Sequence, residues 1–304
     1  MPTSAKPQDR DTGASDPGYA KLKSDTLPWY TEDVEGILTP KARKIFEEYS
    51  DIPPDQVIPH IQANRKKLWD TRAYPCTGLY IYLIPWVTKH SAWSTILSHL
   101  KSKSDPKVLD VGVYVAHDLR ALHFSGVPQS ALCGIDLLPF WETGYELYKD
   151  EGRFDAKYII GDILDFEEES EQARAFDGKM DVVWSSAVIH QFPWAQQVLA
   201  LKRLVKFAKK GSGSLVAGAM VGSPQRSGDA RMGELSKGQF KGEEAFRHNV
   251  ESMTRLWAEV EKEVGVELDV DVKWRTWEDY GADEKRCGFF GEEMGVLEFT
   301  VVVT

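Results

Sequence analysis

Four short apolar runs in the middle of this 304-residue chain each end in residues able to bind or transform a ligand. The first closes as Val-Leu-Asp110-Val-Gly112-Val-Tyr114-Val-Ala116-His117-Asp118. Where a strand turns into a helix in this way, glycine lets backbone approach a nucleotide-type ligand that a Cβ would hold off. Only Gly112 fills one of the three positions where glycine is usual, so Asp-x-Gly does not specify a ligand by itself. The second run ends Gly134-Ile135-Asp136, 26 residues after Asp110. A carboxylate there can accept from both hydroxyls of a ribose. The third ends Gly161-Asp162-Ile163, where a carboxylate can receive the exocyclic amine of an adenine. Carboxylates in phase at three successive strand ends point to one ligand, with capping of helix N-termini as the competing explanation for each.

The fourth run ends Ser185-Ser186-Ala187-Val188-Ile189-His190, on the side that would face a substrate. Imidazole titrates near neutrality, so His190 is a candidate general base for a hydroxyl proton. Its competing role is that of a partly buried histidine satisfied by a backbone carbonyl. His117, in the same turn as Gly112, is a second candidate and competes with a helix-capping role. The candidate ligand set is Asp110, Gly112, Tyr114, Asp136, Asp162 and Ile163.

These residues need a frame. Val108–Val115, Leu132–Leu138, Tyr158–Ile163, Val182–Ile189 and Ser214–Val221 are apolar without strict alternation, the pattern of strands buried on both faces. Segments such as Phe140–Lys149 and Trp194–Lys209 are long enough for crossover helices. Repeated β-α units predict an α/β, doubly wound parallel sheet. A helix is expected from about Glu243 to Val264, then Glu267–Trp277 and Val296–Thr304 as a hairpin giving the sheet an antiparallel edge. Lys202, Arg203, Lys206, Lys209 and Lys210 are expected on a solvated helix face. Ahead of the sheet, residues 1–25 read as a disordered tail. Residues 26–104 read as a helical lid, and 105–304 as the sheet domain. Within the lid, Thr39-Pro40 is a helix start with Ile37, Ile45, Phe46 and Tyr49 as its apolar stripe. Further helices are expected from Pro54 to Trp69 and from Ser91 to Lys101.

Over roughly residues 39 to 280 the chain resembles the fungal small-molecule methyltransferases of meroterpenoid and polyketide biosynthesis. The matches are Ile52-Pro53-Pro54, Trp69, Tyr74-Pro75-Cys76, Asp118-Leu119-Arg120, Gly134-Ile135-Asp136, Gly144-Tyr145-Glu146-Leu147, Gly161-Asp162-Ile163, His190 and Arg247-His248-Asn249 with Ser252. The resemblance implies the class I methyltransferase fold, Rossmann-like with seven strands, and S-adenosyl-L-methionine (SAM) as cofactor. It implies O- or carboxyl-methylation of a lipophilic natural product, with a lid that brings Trp69 and Tyr74 near the ligand. Tyr82 and His248 join them as substrate-side candidates. Departures cluster in one place. The family's paired cysteines are Val113 and Tyr114 here, its second glycine is Ala116 and its glutamine is His117. Its Gly-Gln-Phe-Arg-Phe stretch reads Gly78-Leu79-Tyr80-Ile81-Tyr82, which removes a cation that could pair with the carboxylate of SAM. Two competing readings follow. One is a methyltransferase fold that no longer methylates and orients a polyene or terpenoid for cyclisation, isomerisation or a pericyclic step. The other is an inactive binding partner.

Composition narrows the partners. With 37 Lys+Arg against 47 Asp+Glu the net charge is −10. A nucleic-acid surface needs clustered positive charge, so a small-molecule substrate and no nucleic acid are expected. No stretch approaches the ~20 apolar residues of a membrane span. The opening residues lack the apolar core of a signal peptide, so a cytoplasmic location is expected. Cys76, Cys133 and Cys287 form neither a disulfide framework nor a closely spaced cluster, and no metal site is expected.

Overall fold

The computed structural model describes residues 25–230, 245–291 and 293–304. The tail expected over residues 1–25 lies, apart from Asp25, outside the described residues. Strands β1 (Val108–Val111), β2 (Leu132–Asp136), β3 (Lys157–Ile160), β4 (Val182–Ser186) and β5 (Ser214–Gly222) pair in parallel. Strands β6 (Gly228–Ala230) and β7 (Ala245–Arg247) form a separate antiparallel pair. Strands β8 (Leu268–Arg275) and β9 (Gly295–Val303) complete a seven-stranded sheet ordered β3-β2-β1-β4-β5-β9-β8. The terminal hairpin is present, but its second strand inserts: β9 runs antiparallel between β5 and β8, and β8 becomes the edge.

The apolar runs are buried on both faces. Val108, Val182 and Trp184 pack into one core, while Leu109, Val111 and Val183 pack into the other. Among the described residues, four α-helices precede the sheet: α1 (Pro40–Lys44), α2 (Val57–Thr71), the single turn α3 (Pro75–Gly78) and α4 (Trp93–Lys101). They share the first core, with Phe46, Ile61, Leu68 and Leu100 buried beside the sheet residues. Thr39 caps α1 by accepting the Ala42 amide at 3.1 Å, and Ile45 and Tyr49 flank the buried Phe46 as the stripe requires. Helices α5 (His117–Phe124), α6 (Trp141–Tyr148), α7 (Glu171–Phe176) and α8 (Trp194–Phe207) alternate with the strands. They are followed by α9 (Val250–Val264) and the short α10 (Glu284–Cys287).

Three expectations are corrected. The first four apolar runs outlast their strands, which end at Val111, Asp136, Ile160 and Ser186. Gly112 and Ala187 take left-handed φ values of 77° and 56°, which end β1 and β4 before their apolar character does. Helix α9 begins at Val250, because residues 245–247 are held in β7 and Asn249 caps the helix. The Asn249 side chain accepts the Ser252 amide at 2.8 Å, and the Ser252 hydroxyl accepts the Asn249 amide at 3.1 Å. Glu243, where the helix was expected to start, lies outside the described residues. Finally, Arg203 is not on a solvated face. It is fully buried, with its guanidinium 4.6 Å from the Phe207 ring and 3.4 Å from the Asp177 carboxylate.

Candidate active site

A cavity of about 890 Å³ opens at the carboxyl ends of β1 to β4, where the chain leaves the sheet in four consecutive turns. That size falls within the ~300–1,000 Å³ of small-molecule and cofactor sites. Its position flanks the point between β1 and β4 where strand order reverses, which is where open α/β sheets bind ligands.

The turn after β1 keeps a glycine-loop backbone without the glycines. Gly112, Tyr114 and Ala116 have φ values of 77°, 51° and 56°. A Cβ on Gly112 would lie 2.1 Å from the Val188 Cγ2 atom, so this glycine serves packing as well as conformation. Tyr114 and Ala116 each carry roughly 1–2 kcal/mol of left-handed strain. Other groups hold them there. The Tyr114 amide donates to Asp136 Oδ2 at 2.9 Å, and its hydroxyl lies 2.7 Å from Thr77 Oγ1 of α3. Arg120 Nη1 donates to the Val115 carbonyl at 2.6 Å. Its Nε and Nη2 grip Asp150 in a buried two-pronged pair at 2.8 and 2.7 Å.

Of the candidate ligand set, Gly112, Tyr114, Asp136, Asp162 and Ile163 line the cavity together. Asp136 also accepts the Leu138 amide at 3.1 Å, which leaves acceptor capacity on both oxygens. Burial pushes its carboxyl up to about 6, against the lowering effect of the Leu138 and Tyr114 amides. Asp162 accepts the Leu164 amide at 2.8 Å. Asp110 is not in the wall. It belongs to β1 itself, is 2% exposed, and its Oδ1 has no partner among the described residues. Burial, then the nearby Asp118 and Asp136, raise its carboxyl well above the usual range.

Both histidines line the cavity, and His190 is not arranged as the expected base. His190 Nδ1 accepts the Val221 amide at 3.2 Å, so the lone pair a base would use is already engaged. Burial, with the Arg247 charge, pushes this ring well below its usual range. His117 Nε2 lies 3.8 Å from Asp118 Oδ2, beyond hydrogen-bond reach. That carboxylate is held instead by the Val87 amide and Trp184 Nε1 at 3.0 and 2.7 Å. The other ring nitrogen, Nδ1, is buried with no partner among the described residues.

Of the substrate-side candidates, Tyr74 and Tyr82 line the cavity, while Trp69 and His248 do not. Trp69 packs with Leu27 and Ala73 in a satellite cluster, edge-on to Tyr30 at 5.0 Å. His248 is fully buried between Ser252 Oγ and Gln197 Oε1, each at 2.9 Å, and burial drives its ring down to about 3. Wall residues missed by the sequence reading include Arg72, Trp86, Trp277 and Phe290. Arg72 stands two positions before the Tyr74-Pro75-Cys76 motif, which is the one local signal that could have found it. The Tyr82 hydroxyl and Trp86 Nε1 are buried and have no partner among the described residues, a cost of roughly 1–3 kcal/mol each. No group of three or more His, Cys, Asp or Glu able to hold a metal occurs among the described residues. None of their helices is long and apolar enough to cross a membrane.

A family model described as the meroterpenoid methyltransferase N-terminal domain matches residues 29–83. Over 262 residues the chain is 32% identical to O-methyltransferase phiE of a fungal species, covering 86% of this chain and 84% of that protein. Over 263 residues it is 31% identical to O-methyltransferase atr3 of Stereocaulon alpinum, covering 86% of this chain and 73% of the relative. Among solved structures, Haemonchus contortus phosphoethanolamine N-methyltransferase 2 superposes with a TM-score of 0.50 at 18% identity, over 79% of this chain and 60% of that one. That likeness concerns the fold. With sequence relatives this similar across most of both lengths, the chain belongs to the family of fungal secondary-metabolite methyltransferases.

Proposed function

We propose that the chain is a SAM-dependent methyltransferase that methylates an oxygen of a lipophilic small molecule. The observation that carries this reading is Asp136. A carboxylate with spare acceptor capacity stands on the cavity wall at the end of β2 and is tied by hydrogen bond to the left-handed turn after β1. SAM, when bound, supplies an electrophilic methyl group on a sulfonium. Asp136 would accept from the ribose hydroxyls, Asp162 with Ile163 would hold the adenine edge, and Gly112 would let backbone approach. The cation lost from the family's Gly-Gln-Phe-Arg-Phe stretch would have a counterpart in Arg72, a wall residue whose guanidinium can pair with a carboxylate.

The other side of the cavity is aromatic. Tyr82 and Trp86 come from the N-terminal helical layer, and Trp277 and Phe290 from the connection between β8 and β9. These rings suit a lipophilic substrate and exclude water from the reacting atoms. Residues 26–104 thereby act as a lid on a domain formed by 105–304. Holding both reactants in line is the main catalytic device this wall supplies. A net charge of −10 fits a small-molecule substrate better than nucleic acid. Three free thiols fit a reducing compartment such as the cytoplasm.

Calorimetric titration tests the reading. One equivalent of SAM, or of its demethylated product S-adenosylhomocysteine (SAH), is expected to bind wild-type protein. Absence of heat and of thermal stabilisation with both compounds would sink it.

A further inference from the structure

We propose that His190 orients the substrate as a fixed N–H donor instead of taking a proton from it. The inference rests on the methyl-transfer reading for what occupies the cavity, but its foundation is one hydrogen bond. The Val221 amide of β5 donates to His190 Nδ1 at 3.2 Å. A backbone amide can only donate, so Nδ1 carries the lone pair and the neutral ring must hold its proton on Nε2. Nε2 has no hydrogen-bond partner among the described residues, and His190 is a wall residue of the cavity.

The ring cannot easily escape this state. Its own carbonyl accepts from the Arg247 guanidinium, and residues Ile189–Gln191 are wound in a tight 3-10 turn. To act as a base at Nε2, the imidazole would have to move its proton to Nδ1 and set N–H against N–H at Val221. Becoming an imidazolium creates the same clash and adds charge beside Arg247, the charged side chain that bears on the ring. Both alternatives replace a made hydrogen bond by an opposed pair of donors.

A donor at this place changes what the substrate must bring. Because His190 has no lone pair to offer, it suits an attacking oxygen that arrives already ionised. Its electron pair forms the O–CH₃ bond while the S–CH₃ bond breaks onto sulfur, and no proton moves in the step. The Nε2–H group would hold an acceptor oxygen of the substrate in place while this happens.

The test needs no natural substrate. In protein labelled with ¹⁵N-histidine, the His190 resonances, assigned among the seven histidines by their loss in His190→Gln, are expected to show the Nε2–H tautomer. They should keep it from about pH 8 to about pH 5.5. The aromatic anion 1-naphthoate is expected to bind SAH-saturated wild type at least ~10-fold tighter than naphthalene. His190→Gln, which keeps an N–H donor, should retain most of that preference, and His190→Phe should lose it. An Nδ1–H tautomer, an imidazolium near neutrality, no preference for naphthoate, or a preference kept by the Phe variant would each overturn the assignment. If SAH itself does not bind, the methyl-transfer reading fails separately, and the tautomer read without ligand still decides the role of His190.

Discussion

At the scale of single residues, Asp136 does two jobs with one carboxylate. It fixes the strained turn through the Tyr114 amide, and it offers its remaining acceptor capacity to the cavity. Burial pushes it up to about 6, above the ordinary ~3.9 of an aspartate. The charged acceptor is therefore present above that value and is lost as the pH falls through it. SAM affinity is expected to be flat above pH ~7 and to weaken below about 6, read by calorimetry across that range. Asp136→Ala should weaken SAM about tenfold or more at neutral pH, the loss of a hydrogen bond to a charged group. Unchanged affinity would place the ribose elsewhere. Asp136 and Asp162 were legible as cavity residues because each closes an apolar run, although Asp136 ends β2 and Asp162 lies two residues beyond β3. Asp110 has the same 26-residue spacing in the sequence, yet in the sheet it pairs with Gly134, lies inside β1 and is buried there. Trp86, Trp277 and Phe290 left no local trace, because they meet only when the N-terminal layer and the β8–β9 connection close over the same strand ends.

Among the elements, the turn after β1 and helix α5 act as a unit. The apolar run through Val115 suggested a longer strand, because hydrophobicity records burial and not φ. The turn residues Val113, Val115 and Ala116 are as buried as a strand while following a different path. What holds that path is visible only in three dimensions. Arg120 spans from the Val115 carbonyl to Asp150, which also accepts from the Tyr49 hydroxyl at 2.9 Å. Arg120→Met leaves a buried carboxylate without its cation, and the expected loss is about 3–5 kcal/mol in chemical denaturation. The double change Arg120→Met with Asp150→Leu should recover much of that loss. A loss below ~1 kcal/mol for the single change would show that the pair does not brace the turn. Helix ends were legible where a cap is spelled out, as at Thr39-Pro40. The start of α9 was missed because β7 claims the residues just before Asn249.

For the whole molecule, composition and run pattern were enough to reach a doubly wound sheet, since both cores draw alternate residues from the same strands. The insertion of β9 between β5 and β8 follows from pairing, which no run of residues announces. This architecture puts four strand ends, a buried carboxylate with spare acceptor capacity and an aromatic wall around one cavity. The central claim is that SAM occupies this place and no other. Hydrogen exchange with and without saturating SAH reads it most directly, because every backbone amide reports. Protection is expected in residues 112–118, 134–139 and 161–165, with smaller effects in 72–86. Binding without protection of the first three segments, or protection confined to another part of the chain, would contradict it.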